Sequence, residues 1–211
     1  MKEMTQEQLK QAIAYLLTTV NPKKVNGDRA QAAIKDPELA TRFEEFLDGY
    51  EVRQPALPTI TLEPGDRPFT VDYGMTFDQM IAACRCNWVN SDLTKASFPI
   101  KGDGKVEFES KLLGFDKSIS SDEVVAIIRS ADKACPWEPA QTEHLLAFGA
   151  AYPDEQRKYP IIALGSVGKV GGRRCVPYLR RDGSERDLSL YWWGLDWFSH
   201  DRFLAVRKKV S

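Results

Sequence analysis

The stretch that most restricts how this chain folds runs from Asp187 to Lys209, near the end of its 211 residues. Leu188, Leu190 and Trp192 alternate with Asp187, Ser189 and Tyr191, the two-residue period of a strand with one buried face. Gly194 to Asp196 interrupt the alternation as a turn does, and Trp197 restarts it. Phe203-Leu204-Ala205-Val206 then reads as a closing strand, bracketed by Arg202 and by Arg207-Lys208-Lys209. Leu188, Leu190, Trp192, Trp197, Phe203 and Val206 are therefore the expected core. The outward positions carry acid, hydroxyl, phenol, glycine, leucine and imidazole groups with no chemistry in common. A ligand surface looks like this. An ordinary antiparallel sheet edge gives the same alternation, and both readings stand at this point.

Upstream, residues 5–20 place Leu9, Ile13, Leu16, Leu17 and Val20 at helical spacing, and Asn21-Pro22 ends that run. Further helices are expected over about 27–36 and from Asp36-Pro37 to Gly49, giving a helical segment over 1–50. Five prolines and glycines between 55 and 68 mark residues 51–65 as a linker, with a short strand at Thr59-Ile60-Thr61-Leu62. Phe69 to Tyr73 alternate as a strand. Thr76 and Gln79 stand at capping-box spacing before a helix ending at Cys84. Trp88 to Asp92 read as loop. Phe98-Pro99-Ile100, the turn Gly102-Asp103-Gly104 and the alternating Lys105–Leu112 predict a hairpin. Helices are expected from Ser121 to Ala131 and from Glu138 to Gly149. This mixture of elements argues for an α+β fold over about 66–211.

The formal net charge of -1 supplies no field for drawing in nucleic acid or an anionic membrane, so neither is an expected partner. Arg173, Arg174, Arg180, Arg181 and Arg186 form a local exception, read as a solvated face. No apolar run reaches the length of about eighteen residues that a membrane helix needs. Met1 to Glu7 lack the basic start and apolar core of a signal peptide. The chain is expected to be cytoplasmic at synthesis, with association with a surface or a phage by another route left open. The four cysteines fall at 84, 86, 135 and 175. Cys84 and Cys86 are too close for a usual disulfide, and no pair repeats a zinc spacing. With only His144 and His200 besides, neither a metal site nor a cofactor is expected.

Candidate chemistry elsewhere is thin. His144 sits beside the apolar face of its helix with no nucleophile motif, which reads as a satisfied, partly buried histidine. Gly165-Ser166-Val167-Gly168-Lys169-Val170-Gly171-Gly172 lacks the order of a phosphate loop and precedes a strand, so a glycine-rich hairpin loop is expected. Glu138-Pro139-Ala140 and Trp88-Val89-Asn90 are near-misses to the calcium and sugar motifs of calcium-dependent lectins, short of the oxygen ligands required.

Leu145–Gly149, Tyr159–Ser166 and Arg202–Lys208, together with the Trp-rich stretch, resemble the variable proteins of diversity-generating retroelements. In that family a C-type lectin fold carries a C-terminal variable region, rewritten by a dedicated reverse transcriptase that mutates template adenines. AAY codons become NNY codons, which cannot encode Trp, Lys, Glu, Gln or Met. The resemblance implies a variable region over about 173–201, with Trp192, Trp193 and Trp197 as scaffold. It implies a non-enzymatic ligand-binding or display protein whose partner is a macromolecule, a protein first of all. Asp187, Ser189, Tyr191, Gly194, Leu195, Asp196, Phe198, Ser199, His200 and Asp201 are the expected ligand surface, with Arg173, Cys175 and Tyr178 beside them. Tyr191 and Phe198 are the expected anchors and Trp193 a partly exposed floor. The alternative is an oxidoreductase of the formylglycine-generating type, which shares the fold but needs a reactive cysteine pair near the C-terminus, where this chain has only Cys175.

Overall fold

A computed structural model describes residues 58–65, 67–130 and 137–209. The chain divides between Pro55 and Ala56, and all the described residues lie in the second unit. The helices expected before Gly49 fall outside them.

Local signals decide where the helices begin. Before α1 (Phe77–Cys84), the Thr76 hydroxyl accepts the Gln79 amide at 3.2 Å and the Gln79 side chain accepts the Thr76 amide at 2.7 Å. This is the capping box expected from the sequence. α2 (Ser121–Ser130) is capped by Ser120: its hydroxyl accepts the Glu123 amide at 3.3 Å, and the Glu123 carboxylate takes the Ser120 hydroxyl at 2.6 Å. Ser121 is thereby left free for another task. α3 (Thr142–Ala151) starts later than expected, because Glu138–Pro139 forms a short strand, β5. Proline has no amide to donate and suits a short edge strand better than a helix interior. The Gln141 amide donates to His144 Nδ1 at 3.0 Å, so the histidine closes the start of α3. A fourth helix, α4, is the single turn Glu155–Lys158.

The remaining strands are β1 (Ile60–Leu62), β2 (Phe69–Asp72), β3 (Trp88–Val89), β4 (Lys105–Phe115), β6 (Ile161–Ile162), β7 (Gly168–Val170), β8 (Arg173–Asp182), β9 (Glu185–Trp192) and β10 (Arg202–Lys208). Together with β5 they form one ten-stranded sheet with the path β1-β4-β10-β6-β8-β9-β3. Strands β2, β5 and β7 join it through β4, β10 and β8. The described architecture is α+β, a large, mostly antiparallel sheet with four helices. β1 lies inside the stretch read as a linker, yet pairs with β4 from Ile60↔Phe115 to Leu62↔Leu113.

Two expectations are corrected here. No hairpin joins 98–100 to β4, whose partners are β1, β2 and β10. Phe98 is instead buried in the core. Trp88–Val89, expected as loop, pairs in parallel with Asp187–Leu188 of β9. The two lectin-like near-miss motifs thus supply backbone to strands. The glycine-rich stretch is the expected hairpin loop: β7 pairs with β8, and Gly171 and Gly172 make the turn at φ 54° and 79°.

The sheet is covered on both faces. One face packs Leu112, Leu179, Leu188, Leu204 and Val206 against Cys84, Leu145, Leu146 and Phe148 of α1 and α3. The other packs Leu113, Phe115, Val176, Phe203 and Ala205 against Val124 and Ile128 of α2 and against Trp193 and Trp197. Neighbours in one strand serve opposite layers, as Leu112 with Leu113 and Leu204 with Phe203 do. Each fully buried leucine or phenylalanine contributes about 1.5–3 kcal/mol. Truncating one to alanine costs about 2–5 kcal/mol.

Candidate functional site

A doubly covered sheet changes which residues of the C-terminal stretch are exposed. Leu188 and Leu190 face the α1/α3 layer, as expected. Along that face burial fades: Leu188 is fully buried, Leu190 partly, and Trp192 is 46% exposed. Trp192 therefore leaves the core to which strand parity assigned it, because the layer beneath Leu188 does not extend that far. The Arg173 guanidinium sits 3.7 Å from its ring centroid and covers one side of the indole.

The opposite parity was expected to face solvent, and it faces the second core layer. Asp187 and Ser189 are buried, and Tyr191 is half-buried. Asp187 lies 3.3 Å from the Arg180 guanidinium, and Ser189 faces Tyr178 across the β8–β9 pair. Tyr178, Tyr191, Trp197 and Phe203 form a chain of ring contacts with centroids 5.9, 4.7 and 5.6 Å apart. Trp193, the expected floor, is only 8% exposed and belongs to this layer. Cys175 and Asp201 are buried as well. Burial, and Asp92 nearby, push the Cys175 thiol up. Burial also pushes the Asp201 carboxyl up, against the Phe198 amide, His200 and Arg202, which favour its ionised form.

What remains exposed is the β9–β10 connection: Gly194, Leu195, Asp196, Phe198, Ser199 and His200, with Arg173 and Trp192 at its start. Phe198 is 55% and Leu195 42% exposed. The rings of Phe198 and His200 lie parallel with centroids 5.9 Å apart. His200 Nε2 is 3.5 Å from the Asp201 carboxylate, a long contact at an exposed imidazole.

Besides its own turn bonds, from the Leu195 amide to the Trp192 carbonyl at 3.3 Å and from the Asp201 amide to the Phe198 carbonyl at 3.0 Å, the backbone of this connection is held by groups outside the exposed set. Trp197 and Ile119 exchange backbone hydrogen bonds of 2.9 and 3.2 Å. The Trp197 indole donates to the Ser121 hydroxyl at 2.9 Å, and that hydroxyl donates to the Trp193 carbonyl at 2.8 Å. The Asp201 carboxylate accepts the Phe198 amide at 2.9 Å. Arg202 donates to the Ser199 carbonyl at 2.9 Å and pairs with Glu63 at 2.6 Å. Sequence reading missed Ser121, Glu63 and the role of Arg202. Only the serine left a trace, as part of a helix-start signal.

The arginine cluster disperses. Arg173 and Arg174 stack on Trp192 and Trp193, Arg180 pairs with Asp182 and Asp187, and Arg186 is buried instead of solvated. Burial first, then Lys208, push the His144 imidazole down to about 4, so it caps α3 as the neutral form, edge-on to Phe108 at 4.4 Å. Among the described residues no three His, Cys, Asp or Glu side chains gather as metal ligands do, and no helix is long and apolar enough to cross a membrane. Comparison with protein-family models, curated proteins and solved structures finds no match to this chain.

Proposed function

We propose that this chain is a non-enzymatic ligand-binding or display protein of C-type-lectin-like fold, whose exposed C-terminal residues are diversified by a retroelement reverse transcriptase. The observation that carries this reading is the separation of scaffold from surface between Trp192 and Arg202. The Ser121–Trp193–Trp197 brace fixes the backbone, while the side chains of Leu195, Asp196, Phe198, Ser199 and His200 are exposed beside Gly194 and take no part in that brace. Adenine mutagenesis needs this arrangement, since the exposed side chains can change while the fold stays. All six exposed residue types can be encoded by NNY codons. Tryptophan cannot: Trp193 and Trp197 are the buried braces, and Trp192 is an exposed position that the mutagenesis would leave unchanged.

The burial pattern moves the anchors from the expected pair. Phe198 keeps its place, and Trp192 under Arg173 replaces Tyr191, whose ring is engaged with Tyr178 and Trp197. Rigid aromatic area surrounded by small polar groups suits a protein ligand. The oxidoreductase alternative rests on Cys175, and its burial and raised thiol favour the binding reading.

The test is genetic and physical. A reverse transcriptase gene and an imperfect repeat of the DNA encoding 173–201 are expected beside this gene. Natural variants should differ at 194–200 while keeping Ser121, Trp193 and Trp197. Variation that falls on Trp193 or Ser121, or a locus with neither repeat nor reverse transcriptase, would refute the proposal.

A further inference from the structure

At the opposite end of β9 from the exposed connection, α1 closes with Cys84-Arg85-Cys86. Cys84 is fully buried as the last residue of the helix. Arg85 turns left-handed, with φ 53° and ψ 41°, and the turn brings the half-buried Cys86 back until the two sulfurs lie 3.3 Å apart. Gly149 of α3 makes the room, for a Cβ there would stand 2.7 Å from the Cys84 sulfur.

Beside this pair lies Arg186, only 6% exposed. Its guanidinium donates to Gln156 Oε1 at 3.1 Å, to the Arg85 carbonyl at 3.1 Å and to the Gly149 carbonyl at 2.9 Å. All three acceptors are neutral, and among the described residues Arg186 makes no ion pair. The adjacent carboxylate, Asp187, is turned to Arg180. A buried cation without a counter-charge is costly, and a thiolate beside it offsets part of that cost.

We propose that Cys84 and Cys86 form a redox-active dithiol that exchanges with disulfides, with Cys86 as the attacking thiolate beside Arg186 and Cys84 as the resolving thiol. The contact with Cys84, then Arg186 and Gln156, draw the Cys86 thiol below its ordinary value against burial and Asp187, while the contact with Cys86 and burial push the fully buried Cys84 thiol up. Attack and resolution require that division. The Cys86 sulfur attacks one sulfur of a disulfide RSSR, forming a mixed disulfide and releasing RS⁻. Cys84 gives its proton to the departing thiolate, and its sulfur attacks the Cys86 sulfur, releasing the second RS⁻. Two protein sulfurs are thereby oxidised to one disulfide, and the substrate disulfide takes up the two electrons. The short spacing argues against a permanent cross-link, and the left-handed turn at Arg85 puts a transient one within reach. This centre is independent of the ligand surface and stands or falls apart from it.

The experiment uses the reduced full-length chain with oxidised glutathione as the probe, read by peptide mapping in a mass spectrometer. The unsubstituted chain should yield a Cys84–Cys86 disulfide, Cys84→Ser should stop at a glutathione adduct on Cys86, and Cys86→Ser should yield no adduct at Cys84. Iodoacetamide should alkylate Cys86 with a pH midpoint below the free-thiol value of about 8.5, and at pH 7 about ten-fold faster than Cys175. Circular dichroism of each variant confirms that it is folded. A midpoint at or above that of a free thiol, or glutathione appearing on Cys175 ahead of Cys86, overturns the proposal.

Discussion

Replacing Ser121 by alanine should unfasten the β9–β10 connection without touching any exposed residue. The hydroxyl is buried and joins three elements: it accepts the Trp197 indole N–H at 2.9 Å and donates to the Trp193 carbonyl at 2.8 Å from the first turn of α2. Alanine removes both bonds and leaves a donor and an acceptor in an apolar layer with no replacement. Each buried group left unsatisfied costs about 1–3 kcal/mol, so the pair should cost about 2–4 kcal/mol after partial relaxation. At about 2–4 °C per kcal/mol for a domain of this size, the melting temperature should fall by about 5–15 °C. Urea unfolding followed by tryptophan emission measures it, and the folded-state spectrum should shift because Trp197 loses its partner. Ser120→Ala is the control: it removes a helix cap alone and should cost about 1 kcal/mol, with emission unchanged. A Ser121→Ala loss below about 0.5 kcal/mol with an unaltered spectrum would show that the brace does not hold the connection.

Trp193→Ala should cost about 3–5 kcal/mol, whereas Trp192→Ala, which forfeits an exposed ring and its contact with Arg173, should cost about 1 kcal/mol in the same melts. Equal losses would refute the division between buried and exposed indoles. Serine at Leu195, Phe198 and His200 together should leave the unfolding free energy within about 1.5 kcal/mol of the parent while abolishing binding of any selected ligand, read by calorimetry. With the imidazole of His144 lowered from 6.5 to about 4, the unfolded state binds its proton first as the pH falls. The stability it contributes is complete above about pH 6.5 and is lost between 6.5 and 4, by up to about 3 kcal/mol. Buried Glu143, whose carboxyl is raised by burial, gains stability on protonation and so opposes that loss. His144→Gln keeps an acceptor for the Gln141 amide and should flatten the pH profile in that window.

How far the sequence reveals this molecule depends on whether a signal is local. The Thr76–Gln79 box and the Gly171-Gly172 turn involve neighbours in the chain, and both appear where expected. Alternation in 187–192 located β9 correctly but carries only parity. It cannot report that a second layer, built from α2, Trp193 and Trp197, lies over the face read as exposed. Asp187 and Ser189 were misassigned for that reason, and Trp192 because parity does not say where a covering layer ends. The bracing of the exposed connection was hidden for another reason. Ser121 meets Trp197 across 76 positions and Arg202 meets Glu63 across 139, with no local pattern at either end. Spacing alone says only that Cys84 and Cys86 are too close for a usual disulfide, and it omits the left-handed turn at Arg85 and the buried guanidinium of Arg186.

The position of β10 has a consequence for how copies of this protein are made. It lies inside the sheet between β4 and β6, and its central residues Phe203 to Val206 are all buried. β10 is thus the strand that closes the slot between β4 and β6, both of which precede it in the chain, and the sheet stays incomplete until β10 is made. A shift of reading frame anywhere in 173–201 deletes that strand along with everything downstream. Such a product leaves β4 with an unpaired edge and two half-built apolar layers, a target for proteolysis. A substitution at 194–200 leaves the closing strand untouched. The topology therefore separates the two kinds of change: a substitution at the exposed positions of 194–200 leaves the sheet closed, and a frameshift leaves it open.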